Sequence, residues 1–192
     1  MNFKSFVEHY IEDMRTRIKE NTWETKEHLI RTKLILYFGK LKICNITPQQ
    51  IISWQNELIN YKDENGKPYS PVYLKSIHNQ LSAIFNHAVG YYNLKDNPCR
   101  KAGNMGKKKN REMLFWIKDE YLKFADEMMD KPISYYAFEM LYWTGIREDE
   151  LLALTAGDFD FEKGTDTINK SYQRFHGKDM ITSPKTEKVT EQ

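Results

Sequence analysis

WTGIREDELLALTAGDFDF, residues Trp143 to Phe161, is the stretch from which the rest of the chain can be read. An apolar helix end meets Gly145, which breaks it, and Arg147 follows in the first turn of a new helix whose inner face is Leu151, Leu152 and Leu154. Gly157-Asp158 ends that helix, with Asp158 and Asp160 in the turn beyond. A guanidinium presents a planar fork of donors matching two oxygens of a phosphate, a geometry lysine cannot copy. The helix N-terminus adds unpaired backbone amides and the positive end of the dipole, so Arg147 is a candidate phosphate holder. Glu150, three residues on, lies on the same face and can fix the arginine's orientation; an ordinary surface Arg/Glu pair, worth about 0.2–0.5 kcal/mol, is the alternative reading.

Upstream, Ser134 to Thr144 is aromatic and almost uniformly apolar, which predicts a helix buried on most sides, and Ile117 to Met129 reads as a shorter amphipathic helix. Downstream, Thr167 to Phe175 and Met180 to Pro184 alternate and carry β-branched and aromatic residues. With His176-Gly177-Lys178-Asp179 between them they predict a hairpin, and Lys185 lies at its far end. Before all of this, Arg100, Lys101, Lys107, Lys108, Lys109 and Arg111 fall in a stretch without an acid that also holds Gly103 and Gly106, the composition of a flexible basic connector.

Four helices are expected ahead of the connector. Phe3, Phe6, Val7, Tyr10, Ile11, Met14 and Ile18 recur at helical spacing. A second helix starts from Thr22 as cap, carries Ile30, Leu34, Tyr37 and Phe38, and stops at Gly39. Thr47-Pro48-Gln49-Gln50 is a capping box with proline in the first helical position, opening a third helix through Ile51, Ile52, Trp54, Leu58 and Ile59. Lys62 to Pro68 is a turn; Ser70 and Pro71 then start a long fourth helix with Leu74, Ile77, Leu81, Ile84, Phe85 and Ala88 on one stripe. Its other face shows Lys75, Ser76, His78, Asn79, Ser82 and Asn86, residue types that contact phosphates and base edges, although a solvated helix face has the same look.

Composition sets the bounds. The 192 residues, 40% apolar and 14% aromatic, suffice for real cores in one large or two small domains. The net charge of +2 does not by itself announce a nucleic-acid binder. No run of about 18 apolar residues and no signal peptide is found, so the expected location is the cytoplasm, with no membrane partner. Cys44 and Cys99 have no Cys-x-x-Cys or Cys/His cluster around them, which argues against zinc and a disulfide framework and predicts buried free thiols.

The pattern Thr144-Gly145-x-Arg147-x-x-Glu150-Leu151-x-x-Leu154-x-x-x-Asp158-Phe159-Asp160 closely resembles the first catalytic box of the tyrosine recombinases, the integrases of phages and conjugative elements. The four-helix segment resembles their SAM-like core-binding domain, Phe115-Trp116-Ile117-Lys118-Asp119-Glu120 the opening of their catalytic domain, and Ser183-Pro184-Lys185-Thr186 the hairpin that carries their catalytic lysine. The resemblance implies a mainly α chain: a four-helix SAM-like core-binding domain over residues 1–97, a basic linker over 98–111, and the N-terminal part of an α+β catalytic domain with a β-hairpin over 112–192. It also implies site-specific DNA recombination, in which a tyrosine attacks a backbone phosphate to give a 3′-phosphotyrosyl link, with no metal or cofactor. Arg147 would stabilise the charged transition state, Glu150 would support that site, and Lys185 would be general acid to the leaving oxygen. By analogy with lost oxyanion donors, Arg147→Ala would cost about 2.7–4 kcal/mol of barrier stabilisation. The implied partner is double-stranded DNA, contacted by Lys75, His78, Asn79, Lys107, Lys108, Lys109 and Arg111, with self-association on DNA.

The family pattern also needs a later His-x-x-Arg box, a further His or Trp, and the nucleophilic tyrosine, none of which follows Lys185 here. The one His-x-x-Arg, His28 to Arg31, lies ahead of Arg147 and is a chance match. The residues from Glu187 to Gln192 depart from the family's usual continuation; a frameshift within A-rich codons of Glu187-Lys188 would account for this, and an artificial boundary is the rival. The expectation is a truncated recombinase that binds DNA without cutting it. The alternatives are a non-catalytic DNA-binding module or regulator competing with an intact integrase, and a helical protein-interaction domain.

Overall fold

Asn2 starts the first helix in the computed structural model, its side chain accepting a hydrogen bond from the Ser5 amide at 2.7 Å. Helix α1 then runs Phe3–Arg15 with Phe3, Phe6, Val7, Tyr10 and Ile11 buried. The structure describes residues 1–106, 112–175 and 177–184, without the Asn21 side chain, and divides into two units, Met1–Arg111 and Glu112–Gln192.

In the first unit the second helix starts earlier than Thr22: α2 spans Glu20–Leu29, with Lys19 at the cap position and no side-chain cap, so Thr22 lies inside the helix. It passes through a π-helical turn, Ile30–Leu34, into α3, Ile35–Phe38, and stops at Gly39. The wider turn is invisible to 3.6-residue periodicity, because Ile30, Leu34 and Phe38 are all buried at spacings an ordinary helix also permits. Helix α4, Pro48–Asn60, opens on the expected capping box, Gln50 N–H donating to Thr47 Oγ1 and Thr47 N–H to Gln50 Oε1. Ile51 and Trp54 face the core whereas Ile52 and Ile59 are exposed. Helix α5, Pro71–Tyr91, is capped by Ser70, and its stripe from Leu74 to Ala88 is buried as its spacing predicts.

The stretch expected to be a connector from residue 98 begins instead as structure of the first unit. Asn97 caps a short helix α6, Pro98–Ala102, and both Cys99 and Met105 are buried in the same core as Phe3, Phe38, Trp54, Ile77 and Leu81. Gly106 has φ +81°, and a Cβ there would stand 2.2 Å from the Pro71 carbonyl oxygen, so residues 103–106 lie against the start of α5 in a path only glycine fits. Burial raises the Cys99 thiol to about 12, whereas Cys44, expected to be buried, is exposed in the short 3₁₀ turn Ile43–Asn45.

The second unit has helix α7, Lys118–Glu127, helix α8, Pro132–Thr144, and a one-turn helix α9, Glu148–Leu151. Two strands, β1 Phe159–Asp160 and β2 Thr165–Asp166, form a small antiparallel pair where only a turn was expected. Strands β3, Ser171–Phe175, and β4, Lys178–Thr182, form the hairpin, with Phe175 paired to Lys178 and Ser171 to Thr182. Lys178 and Asp179, expected in the turn, are therefore paired residues of β4, and Gly177 before them has a positive φ (+77°). Helix α8 does not meet the expectation of burial on most sides: none of its residues is buried, and Ile133, Tyr136, Phe138 and Trp143 are exposed.

Candidate phosphate-holding site and nucleic-acid interface

Arg147 is carried to its position by the turn after α8. The Thr144 hydroxyl donates to the Met140 carbonyl at 2.5 Å and accepts from the Ile146 amide at 3.4 Å, while Gly145 adopts the left-handed conformation (φ +69°) that ends the helix. Ile146 is buried, so the chain is pinned on the residue before the arginine. Arg147 is the N-cap of α9 rather than a residue of its first turn, with extended backbone (φ −78°, ψ 150°).

Glu150 is the residue that holds it. One carboxylate oxygen accepts from the Arg147 backbone N–H at 3.0 Å and the other from Nη1 of the guanidinium at 2.9 Å. The glutamate side chain is 8% exposed and the arginine side chain 55%. A buried anion therefore fixes both ends of an exposed cation and leaves the other guanidinium donors facing solvent, an arrangement suited to holding a phosphate. This asymmetry separates the pair from a freely moving surface ion pair. The expected inner face of α9 is different in detail: Ile146, Glu150 and Ala153 are buried, while Leu152 is exposed, because the helix is a single turn and only residues next to its cap reach inward.

The acidic residues after α9 are structural. Asp158 Oδ2 accepts from Lys170 Nζ at 2.5 Å and from the Thr155 amide and hydroxyl at 2.7 Å each. The lysine and those threonine donors hold its carboxyl at about 2, below its ordinary 3.8. Asp160 is likewise lowered by Lys163, whose Nζ lies 2.8 Å from Oδ2. Lys170, which carries the β3 strand's start to this loop, is not among the residues expected from sequence. Nothing in the local pattern marks a partner for Asp158 twelve positions away. Lys185 follows β4 by three residues and lies outside the described residues.

In the first unit, α5 brings Lys75 and Asn79 to its outer face, Lys75 half-buried and Asn79 exposed. His78 is a correction. It is 4% exposed, its Nδ1 lies 3.0 Å from Gln55 Nε2, and burial lowers its pKa. Gln55 Nε2 also donates to the Gly103 carbonyl at 2.8 Å, so His78 helps tie α4 and α5 to the segment after α6 rather than facing a ligand. A one-residue step around the helix from Ile77 carries it inward, a difference that pattern alone does not separate from Asn79. Lys107, Lys108, Lys109 and Arg111 lie outside the described residues.

Residues 2–59 match the family of phage integrase N-terminal SAM-like domains. The ICEBs1 integrase of Bacillus subtilis (strain 168) is 27% identical over 187 residues, covering 97% of this chain. The chain is thus similar to phage-type integrases, through the family model over residues 2–59 and through an integrase relative along nearly its whole length. The chain spans 49% of the ICEBs1 integrase it matches. Its fold is similar to that of the Tn1549 transposon integrase solved with a circular intermediate DNA (TM-score 0.75, 23% identity, 97% of this chain and 58% of that one). It is also similar to a lambda integrase dimer solved on a COC′ core site (TM-score 0.64, 21% identity, 95% of this chain and 49% of that one). Among the described residues, no helix is long and apolar enough to cross a membrane.

Proposed function

We propose that this chain is the DNA-holding part of a site-specific integrase, with the first unit as core-binding domain and the second as the beginning of the catalytic domain, joined through the basic residues up to Arg111. The observation that carries the reading is Arg147, exposed at a helix N-cap and fixed by buried Glu150. In the reaction, the guanidinium holds a non-bridging phosphate oxygen and stabilises charge that grows as the phosphorus becomes five-coordinate, and Glu150 keeps it from swinging away. Lys185 then gives its proton to the leaving oxygen, which requires it to stay protonated until that step. Lys75, Asn79, Lys107, Lys108, Lys109 and Arg111 hold the duplex backbone. The chain works in the cytoplasm, and copies associate when bound to neighbouring sites on one DNA.

The catalytic reading also calls for a second arginine box and a nucleophilic tyrosine, which these 192 residues do not supply in the family's order. The expected behaviour of the chain alone is therefore binding without cleavage. Incubation with a nicked suicide duplex should give a shifted complex that denaturing detergent dissolves. A detergent-resistant adduct would overturn the assignment of roles, and absence of any shift would overturn DNA binding. A second reading, a regulator occupying the sites of an intact integrase, is favoured by the self-contained core of the first unit. It predicts that added chain inhibits recombination by a full-length relative on the same DNA.

A further inference from the structure

Between Asn65 and Arg111 the chain contains a single acid, Asp96, although it has 27 acids in all. That one acid is taken by Lys101, whose Nζ lies 3.0 Å away. The stretch includes all of α5 and α6, and where the two helices meet, side-chain amides form an ordered set. Asn97 is 4% exposed. Its Oδ1 accepts from the Cys99 amide at 2.9 Å, and its Nδ2 donates to the Ser82 carbonyl and hydroxyl, each at 3.1 Å, and to Asn86 Oδ1 at 2.9 Å. The same Asn86 oxygen accepts from Arg100 Nη2 at 3.2 Å. Arg100 is exposed and, among the described residues, has no carboxylate partner. Seven residues before Asn86, on the same helix face, Asn79 Oδ1 accepts from Asn104 Nδ2 at 2.9 Å, both residues exposed.

We propose that Arg100 is a DNA-contacting residue of the first unit, that the Asn79–Asn104 pair extends the same contact face, and that buried Asn97 positions Arg100 through Asn86. The inference rests on the DNA-binding reading above, which already includes Asn79, and adds to it Arg100, Asn104 and the positioning residues Asn86 and Asn97. An exposed arginine tethered by a neutral amide presents its charge with no acid beside it, whereas a carboxylate tether, as at Arg147, orients the guanidinium but offsets part of its attraction for an anion. Fixing it on a short helix whose cap is buried lowers the entropy lost on binding. Seven residues along an α-helix span about 10.5 Å, so the two polar groups lie roughly three base-pair steps apart on a duplex. Asn79 and Asn104 spend only one donor and one acceptor on each other, which leaves an amide donor on Asn79 and a carbonyl acceptor on Asn104 facing out. The remaining donors of Arg100 suit either two phosphate oxygens or the O6/N7 edge of a guanine.

Equilibrium binding to a short duplex of random sequence, together with selection from a randomised pool, tests this with Arg100→Gln, Arg100→Lys, Asn86→Ala and the Arg100→Gln/Asn86→Ala double variant. Arg100→Gln should weaken binding roughly fivefold to tenfold without lowering thermal stability, because the side chain is exposed. If a phosphate is held, the salt slope falls by about one and lysine restores it; if a guanine is read, selection relaxes at one position and lysine restores it only in part. Asn86→Ala should weaken binding by a smaller factor and add nothing to Arg100→Gln, since it acts only through the arginine. Wild-type affinity and selection in Arg100→Gln, or additive losses in the double variant, would overturn the inference while leaving DNA binding intact. A wild-type chain that binds no duplex would overturn both.

Discussion

Glu150 does two jobs with one carboxylate, and the consequences of removing it differ from those of removing an ordinary surface acid. In Glu150→Ala the Arg147 backbone N–H and guanidinium both lose the buried carboxylate that joins them. The expected cost is about 1–3 kcal/mol to the second unit, read by urea unfolding. Glu150→Gln keeps an acceptor and should lose less; an unchanged midpoint in Glu150→Ala would mean that the pair is a surface contact after all. Asp158 gives a pH-dependent counterpart. Its folded value of about 2 lies below its ordinary 3.8, so its contribution is present above the ordinary value and is lost as pH falls from about 3.8 towards about 2. Asp158→Asn and Lys170→Ala should each flatten the acid limb of the second unit's stability in that window, and a limb identical to wild type would remove the pair from the account. At this scale the sequence is readable where partners are near: Arg147 and Glu150 sit three apart and share a face, whereas Lys170 reaches Asp158 from twelve residues away through a loop fold that spacing does not encode.

Capping chemistry and buried stripes made most elements of the first unit legible. The Thr47-Pro48-x-Gln50 box and Ser70-Pro71 start helices where they should, because each satisfies backbone donors locally. What escaped notice follows from longer-range causes. The π turn at Ile30–Leu34 keeps the core positions aligned, and α6 looks like a connector because its basic residues Arg100 and Lys101 are exposed while Pro98 and Cys99 are buried. The reverse holds for α8, whose apolar sequence calls for burial while the structure leaves part of that surface exposed. Ile133 is 88% exposed there, and nearby in sequence Leu114 and Phe115 are 94% and 74% exposed. In the first unit, by contrast, Ile30, Leu34, Phe38, Ile77 and Leu81 are fully shielded. Local opening is governed by such burial, so amide exchange should be faster across residues 112–192 than across residues 1–95. Equal protection in the two would contradict the difference in packing.

At the scale of the whole molecule, charge is spread so that its net value conceals its use. The total of +2 is compatible with many functions, yet the acids are nearly absent from residues 65–111 and crowd into the α9 segment as Glu148, Asp149 and Glu150. The first arrangement suits a backbone-tracking surface; the second sets one arginine against a buried acid. The resemblance to integrases was legible because the Thr-Gly-x-Arg-x-x-Glu-Leu pattern fixes type and spacing together. The residues proposed to face DNA were less so, His78 being buried and Arg100 being oriented by contacts that exist only in the fold. The most direct test of the claim that these surfaces hold DNA phosphates is equilibrium duplex binding by the 192-residue chain, followed by fluorescence anisotropy from about 50 to about 200 mM salt. The account predicts that the logarithm of the association constant falls linearly with the logarithm of salt, by about 0.9 for each phosphate neutralised. Failure to bind at low salt, or a slope near zero, would contradict it.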